Sequence, residues 1–210
     1  MEAIQQIVSG DSLEEAAACA AQVLARNAVI VYPTETLYGL GVNALLPESL
    51  EKLIALKRRA LQKGIILLIR NSQEARKFVS DLTPQAKRLM DLFWPGPLTL
   101  IVQANAQVPD LLLGEGGTVA MRVSSHPFCQ LLLAKIPFPI TSTSANLSGQ
   151  TNLLKSKEIV ETFSAQVELI ILDQQERNGK PSTVLDVTGQ HYKLIREGMI
   201  TQEEIDAKIA

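Results

Sequence analysis

The chain is short of the residues that carry covalent, metal and redox chemistry: its 210 residues include two cysteines, Cys19 and Cys129, and two histidines, His126 and His191. The cysteines lie far apart in apolar segments, and no metal-ligand spacing joins them to the histidines, which argues against a disulfide scaffold or a zinc site. Aromatic residues make up only 4% of the chain. No apolar run approaches the roughly 18–20 residues of a membrane-spanning helix, and residues 65–69 have the length of a buried strand. The opening Met1-Glu-Ala-Ile-Gln-Gln6 has neither a basic n-region nor an apolar h-region, so a cytoplasmic protein without membrane association is expected. The common phosphate loops are missing too. Tyr38-Gly-Leu-Gly41 lacks the third glycine of a dinucleotide fingerprint, and no Gly-x-x-x-x-Gly-Lys-Ser/Thr occurs. A bound nucleotide must be held by other means.

What is present is a chain with 46% hydrophobic residues and a formal net charge of −2, enough for one sizeable core and against overall disorder. No repeat or long linker divides it, so residues 1–210 are read as one domain. The charge is uneven: residues 52–88 carry ten basic residues against two acidic ones, Glu74 and Asp81, on an otherwise acidic body. That asymmetry suits either a solvated helix face or a small polyanion such as a nucleotide.

Periodicity predicts helices over residues 13–27, from Pro47 to Lys57, 84–92, 128–134, 157–164 and 202–208, the first with the capping-box spacing Ser12-Leu-Glu-Glu15. Strands are expected at 28–32, 65–69, 98–102, 119–123, 140–142, 169–172, 183–187 and 193–195. The mixture indicates an α/β or α+β layer architecture.

Several segments are candidates for chemistry. Tyr32-Pro-Thr-Glu-Thr-Leu-Tyr-Gly-Leu-Gly41 places hydroxyls, a carboxylate and two glycines where a strand opens into a loop, either as a ligand site or as a tight turn that Thr34 and Thr36 satisfy internally. Leu56-Lys-Arg-Arg-Ala60 gathers cations at a helix C-terminus, where the dipole favours them, yet Lys57 and Arg59 also suit phosphate oxygens. Pro139-Ile-Thr-Ser-Thr-Ser-Ala-Asn-Leu-Ser-Gly149 surrounds Asn146 with hydroxyls after an apolar strand. Without a nearby histidine or a Gly-x-Ser-x-Gly elbow, it points to polar binding rather than a serine nucleophile. Trp94-Pro-Gly-Pro-Leu-Thr99 reads as structural, with Thr99 able to face a cleft. Arg122 and Arg196 are charges in apolar strands, expected at a strand edge or beside a buried anion.

In this order, the segments resemble the YrdC-like threonylcarbamoyl-adenylate synthase family, in its short single-domain form. The resemblance runs through Tyr32 to Gly41, Lys57-x-Arg59, Trp94 to Thr99, Val119-Ala-Met-Arg122, Ser142 to Gly149, Pro181-Ser-Thr-Val184 and Arg196-Glu-Gly198. It departs from the family at Ala60 and Lys63-Gly-Ile65, where prolines are usual, and at Arg122-Val-Ser-Ser-His-Pro127. It implies a twisted open sheet with flanking helices and a large, positively lined cleft. It further implies that ATP, L-threonine and bicarbonate yield threonylcarbamoyl-AMP and pyrophosphate, for N6-threonylcarbamoyladenosine at position 37 of tRNAs reading ANN codons.

Carried over, the resemblance makes Lys57 and Arg59 catalytic and places ATP on Lys57, Arg59, Thr99, Ser142, Ser144, Asn146 and Arg196. Threonine falls to Thr34, Arg122 and Ser182. Mg2+ is expected with ATP, with no protein ligand assigned and no tightly bound organic cofactor. The implied downstream partner is a tRNA threonylcarbamoyl-transferase complex. Weak RNA binding is a further partner expectation; two alternative functions are an RNA-binding module using the basic segment and a carbamoyl-adenylating domain of the hydrogenase-maturation type.

Overall fold

In the computed structural model, residues 4–7, 12–57, 65–146, 152–175, 177 and 179–209 are described. The ten strands are β1 (Ile4–Ile7), β2 (Ile30–Tyr32), β3 (Gly39–Gly41), β4 (Ile66–Leu68), β5 (Leu98–Gln103), β6 (Thr118–Arg122), β7 (Ile140–Ser144), β8 (Leu169–Leu172), β9 (Thr183–Asp186) and β10 (Lys193–Arg196). They form one sheet in the order β1-β8-β2-β3-β7-β4-β6-β5-β9-β10. The helices are α1 (Leu13–Leu24), α2 (Pro47–Lys57), α3 (Ser72–Ala75), α4 (Pro84–Phe93), α5 (Pro127–Lys135), α6 (Ser156–Phe163) and α7 (Gln202–Ile209). The expected mixed α/β sheet with flanking helices is what forms. Among the described residues no helix is long and apolar enough to cross a membrane.

Strand residues alternate between two cores because successive side chains leave opposite faces. Ile30, Tyr32, Leu169 and Ile171 pack under α1 and α5 with Ala17, Leu24, Phe128 and Leu132. Val31, Leu40, Ile170 and Leu172 face the other way, towards Leu50, Leu53, Leu89, Phe163 and Ile205. Helix α4 starts as expected, the Thr83 hydroxyl accepting from Ala86 N at 3.0 Å. Trp94 is structural, its indole N–H donating to Leu98 O at 2.7 Å.

Four sequence expectations need correction. Helix α1 ends at Leu24 rather than Asn27, because Asn27 takes a left-handed φ of 58°, and Ser12 precedes it without a side-chain cap. Strand β1 and the short helix α3 had no periodicity to announce them. Gly39–Gly41 is a strand, not a flexible loop: a Cβ on Gly41 would lie 2.8 Å from Tyr32 Cε1, so glycine is required for β3 to lie against that buried ring. Finally, the strand expected at 140–142 runs two residues further, so that Thr143 and Ser144 also belong to β7. The Thr141 hydroxyl donates to Leu40 O at 3.2 Å and accepts from Val42 N at 3.1 Å, so a polar side chain satisfies part of the ladder with β3. Strand β7 joins the two halves of the sheet: Ser144 and Thr143 pair with β3, while Ser142, Thr141 and Ile140 pair with β4.

Candidate functional site

Over this junction lies a cleft of about 690 Å3, counting its open mouth, lined by Thr34, Thr36, Leu37, Tyr38, Gly39, Ile66, Arg122, Ser142, Thr143, Ser144, Asn152, Pro181, Ser182 and Arg196. The lining is mostly oxygen donors and acceptors plus two guanidiniums.

The turn between β2 and β3 supplies one wall. Thr34 Oγ1 donates to Leu37 O at 2.6 Å and accepts from the Thr36 and Leu37 amides at 3.2 Å. Its single proton is thereby committed, so in its 2.9 Å contact with Thr36 the Thr36 hydroxyl is the donor. Arg122 Nη1 in turn donates to Thr36 Oγ1 at 3.1 Å. The hydroxyls therefore form a directed chain from Arg122 through Thr36 and Thr34 to Leu37 O. Thr34 lines the cleft, but its hydroxyl is consumed inside the turn, so it offers a ligand shape rather than a hydrogen bond.

Arg122 sits on β6, an interior strand flanked by β4 and β5, and is 2% exposed. Of the two settings expected for it, a strand edge and a buried anion, the second holds. Glu35 Oε2 lies 3.8 Å from Nη2, too far for a hydrogen bond, and the same oxygen accepts from the Ser124 hydroxyl. Arg122 Nε and Glu35 Oε1 are both buried without a hydrogen-bond partner. The guanidinium is thus only partly satisfied by the protein.

Opposite, Arg196 donates from Nε and Nη2 to Ser182 O at 3.2 and 2.9 Å and from Nη2 to Ser182 Oγ at 3.3 Å. Burial, and then the like charge of Arg122, lower its pKa from the ordinary arginine value. Two cations facing one cavity favour an anion between them. Gly198 permits this arrangement, since a Cβ there would lie 2.2 Å from Pro181 O. Thr99 is corrected here: it is fully buried and reaches the cleft only through Ser182, hydroxyl to hydroxyl at 2.8 Å.

Lys57, expected to meet phosphate directly, is 4% exposed and lies behind the cleft wall. Its ammonium donates to Ser144 O, Asn146 O and Asn146 Oδ1 at 2.7, 2.8 and 3.0 Å, and the Ser144 hydroxyl donates to the same Asn146 oxygen at 2.7 Å. Lys57 therefore fixes the end of β7. Arg59, Ser148 and Gly149 lie outside the described residues, as does Lys63-Gly64. Among the described residues, no basic residue of this segment lines the cleft. Arg70 donates to Leu133 O and Ile136 O at the end of α5, Lys52 to Asn27 O, and Lys77 pairs with Glu74.

Sequence reasoning passed over a buried charge cluster beside the cleft, formed by Tyr38, His126, Asp173 and Arg177. His126, expected to be structural, is so: Nδ1 accepts from Phe128 N at the start of α5, leaving the ring proton on Nε2 for Asp173 Oδ2 at 2.9 Å. Burial pushes the Asp173 carboxyl up, but hydrogen bonds from His126 and Arg177 outweigh it and hold the group well below the usual carboxylate range. Burial raises the Cys129 thiol to about 12, which leaves it inert as a nucleophile.

Fold and site together define an α/β cleft protein built to take a small polyanion. The Sua5/YciO/YrdC domain, described as telomere recombination, matches residues 22–198. A threonylcarbamoyl-AMP synthase of Pseudoalteromonas translucida (strain TAC 125) is 36% identical over 171 residues, 80% of this chain and 91% of that protein. The structure of P. abyssi Sua5 complexed with L-threonine superposes with a TM-score of 0.92 at 31% identity. All of this chain is covered there, but it spans only 61% of the length of that protein. E. coli YciO superposes at a TM-score of 0.84 and 29% identity, with 97% of each chain covered. The chain belongs to the Sua5/YciO/YrdC family.

Proposed function

We propose that the cleft makes threonylcarbamoyl-AMP from L-threonine, bicarbonate and ATP. The observation that carries this reading is the pair Arg122 and Arg196, two incompletely neutralised guanidiniums facing one hydroxyl-lined cavity. Threonine's amine and bicarbonate form a carbamate with loss of water. A carbamate oxygen then attacks the α-phosphorus of ATP, and the bond to pyrophosphate breaks as pyrophosphate departs with the electron pair.

Adenylyl transfer of this kind needs positioning and charge stabilisation, and no enzyme nucleophile. Arg122 takes the threonine carboxylate beside Ser182. Arg196, Ser142 and Ser144 face the nucleotide, while Lys57, Asn146 and Thr99 hold those groups in place from behind; the family resemblance adds Arg59, which lies outside the described residues. ATP enters with Mg2+ on its phosphates. Mg2+ would offset the charge on those phosphates; among the described residues no cluster of three or more His, Cys, Asp or Glu is placed to hold it, and no protein ligand is assigned to it. The product is a mixed anhydride, prone to hydrolysis, and is passed to a tRNA threonylcarbamoyl-transferase complex in the cytoplasm.

The test is pyrophosphate release with each amino acid in turn, with and without bicarbonate. Release that depends on both threonine and bicarbonate is expected; release indifferent to either overturns the reading.

A further inference from the structure

Arg177 has no place in the motifs that define the cleft, yet it is among the most fully engaged side chains of the structure. Its guanidinium grips Asp173 as a fork, Nη1 to Oδ1 and Nη2 to Oδ2, both at 2.8 Å. Nη1 also donates to Gln175 O at 2.9 Å. Nε and Nη2 both donate to Thr34 O, at 3.2 and 3.1 Å. All five N–H donors are thus used, and the plane lies 4.1 Å over the Tyr38 ring. Asp173 is held from two further sides, by the Tyr38 hydroxyl at 3.0 Å and by His126 Nε2, and His126 is fixed to the first turn of α5.

The consequence lies in what this clasp touches. Thr34 and Tyr38 both line the cleft, and Thr34 is linked through Thr36 to Arg122 by the hydroxyl chain. Asp173 and Arg177 lie on the connection from β8 that leads to Pro181 and Ser182, which line it as well. We propose that Arg177 is a positioning residue for the amino-acid half of the cleft: its fork joins the Thr34 carbonyl to Asp173 and so sets the turn that orients Arg122. The proposal rests on the functional reading above. A lysine keeps the charge but cannot span Asp173 and Thr34 O together, so the geometry requires arginine.

The test uses the full chain with Arg177→Lys, Arg177→Ala and the milder Tyr38→Phe. Amide hydrogen exchange is read first and does not depend on function. Exchange at residues 34–38 is expected to accelerate about tenfold or more in both Arg177 variants, with α1 and α5 unchanged. Unaltered exchange there overturns the clasp. Steady-state kinetics follow: the KM for threonine should rise about tenfold or more in both Arg177 variants, while that for ATP stays within about twofold. Tyr38→Phe removes the hydroxyl that donates to Asp173 Oδ1, accepts from Asp173 N and meets Ser156 Oγ, but it leaves the Arg177 fork intact, so it should shift the threonine KM less, in the same direction. Equal losses for both substrates, or full rescue by lysine, would show that the residue merely supports the fold. If Arg177→Ala does not fold, Arg177→Lys and Tyr38→Phe decide the matter. A wild-type protein that neither binds nor uses threonine overturns the functional reading and the ligand half of this proposal, and the exchange result still judges the clasp.

Discussion

Replacing Arg122 with glutamine separates what this residue does for the fold from what it does for a ligand. The change removes the charged donor to Thr36 Oγ1 and the cation 3.8 Å from Glu35, leaving that carboxylate largely buried with only Ser124 as partner. Breaking a buried pair by deleting one partner costs about 3–5 kcal/mol. Here the separation exceeds hydrogen-bond distance and Ser124 still donates, so about 1–3 kcal/mol is the reasonable range. For a chain of this size that corresponds to a melting temperature lower by roughly 3–10 °C. The ligand effect is separate: a lost charge-assisted contact to the threonine carboxylate is worth about 1.5–3 kcal/mol, or roughly 10- to 150-fold in affinity. Adding Glu35→Gln neutralises the stranded carboxylate and should restore most of the melting temperature without restoring threonine binding. Differential scanning fluorimetry and calorimetric titration with threonine and with ATP read the two effects independently. If the double variant regains threonine affinity, Arg122 serves Glu35 rather than the ligand, and the assignment fails.

Three further outcomes are expected. Lys57→Met removes one donor from each of Ser144 O, Asn146 O and Asn146 Oδ1, while Asn146 N still reaches Ser144 O and the Ser144 hydroxyl still reaches Asn146 Oδ1; it should cost about 1–3 kcal/mol and raise the ATP KM about tenfold, and wild-type melting with wild-type KM would refute its role as the β7 anchor. Gly41→Ala places a Cβ 2.8 Å from the buried Tyr32 ring, whose hydroxyl is tied to Thr141 O, and should cost about 1–3 kcal/mol in a denaturant titration, so a neutral result would contradict the packing. Acid should expose Asp173: the unfolded carboxyl titrates near about 3.9 and the folded one lower. The unfolded chain therefore takes the proton first, and the group's stabilising contribution, full above about pH 5, drains away below it. Asp173→Asn should flatten that acid limb when melting is followed from neutral to acid pH, and an unchanged limb would remove Asp173 from the account.

Much of the architecture was legible because burial enforces periodicity. Strand β8 and helix α2 fall where the apolar pattern puts them, and α4 begins at its Thr-Pro signal. The misses share a cause, which is that the deciding contact is distant in sequence. Gly39–Gly41 carries no β-branched residue, and it is a strand because Tyr32 lies across it and Ser144 and Thr143 pair with it. The strand expected at 140–142 runs on to Ser144 because Thr143 and Ser144 pair with β3, a partner distant in sequence. At the site, Arg122 and Arg196 were legible as charges in apolar strands and Ser142 and Ser144 as members of a hydroxyl-rich run, whereas Ser182 came only from the family resemblance. Arg177 was not, since its carbonyl partner lies 143 residues away and nothing local distinguishes it from a surface arginine.

That distance also explains why the cations are arranged in two ranks. Arg122 and Arg196 face the cleft, whereas Lys57 and Arg177 lie behind its walls, and both of the latter spend donors on main-chain carbonyls: Ser144 and Asn146 for one, Thr34 for the other. A strand end and a tight turn leave carbonyl oxygens without ladder partners, and such oxygens at the rim of an anion site would repel phosphate or carboxylate. Binding each to a buried cation satisfies the acceptor and offsets its partial negative charge. The facing pair then acts on the ligand without competition from the backbone. By this argument, the charge that matters for an anion in the cleft includes cations that never touch it, and reversing either rear contact weakens binding even with Arg122 and Arg196 intact.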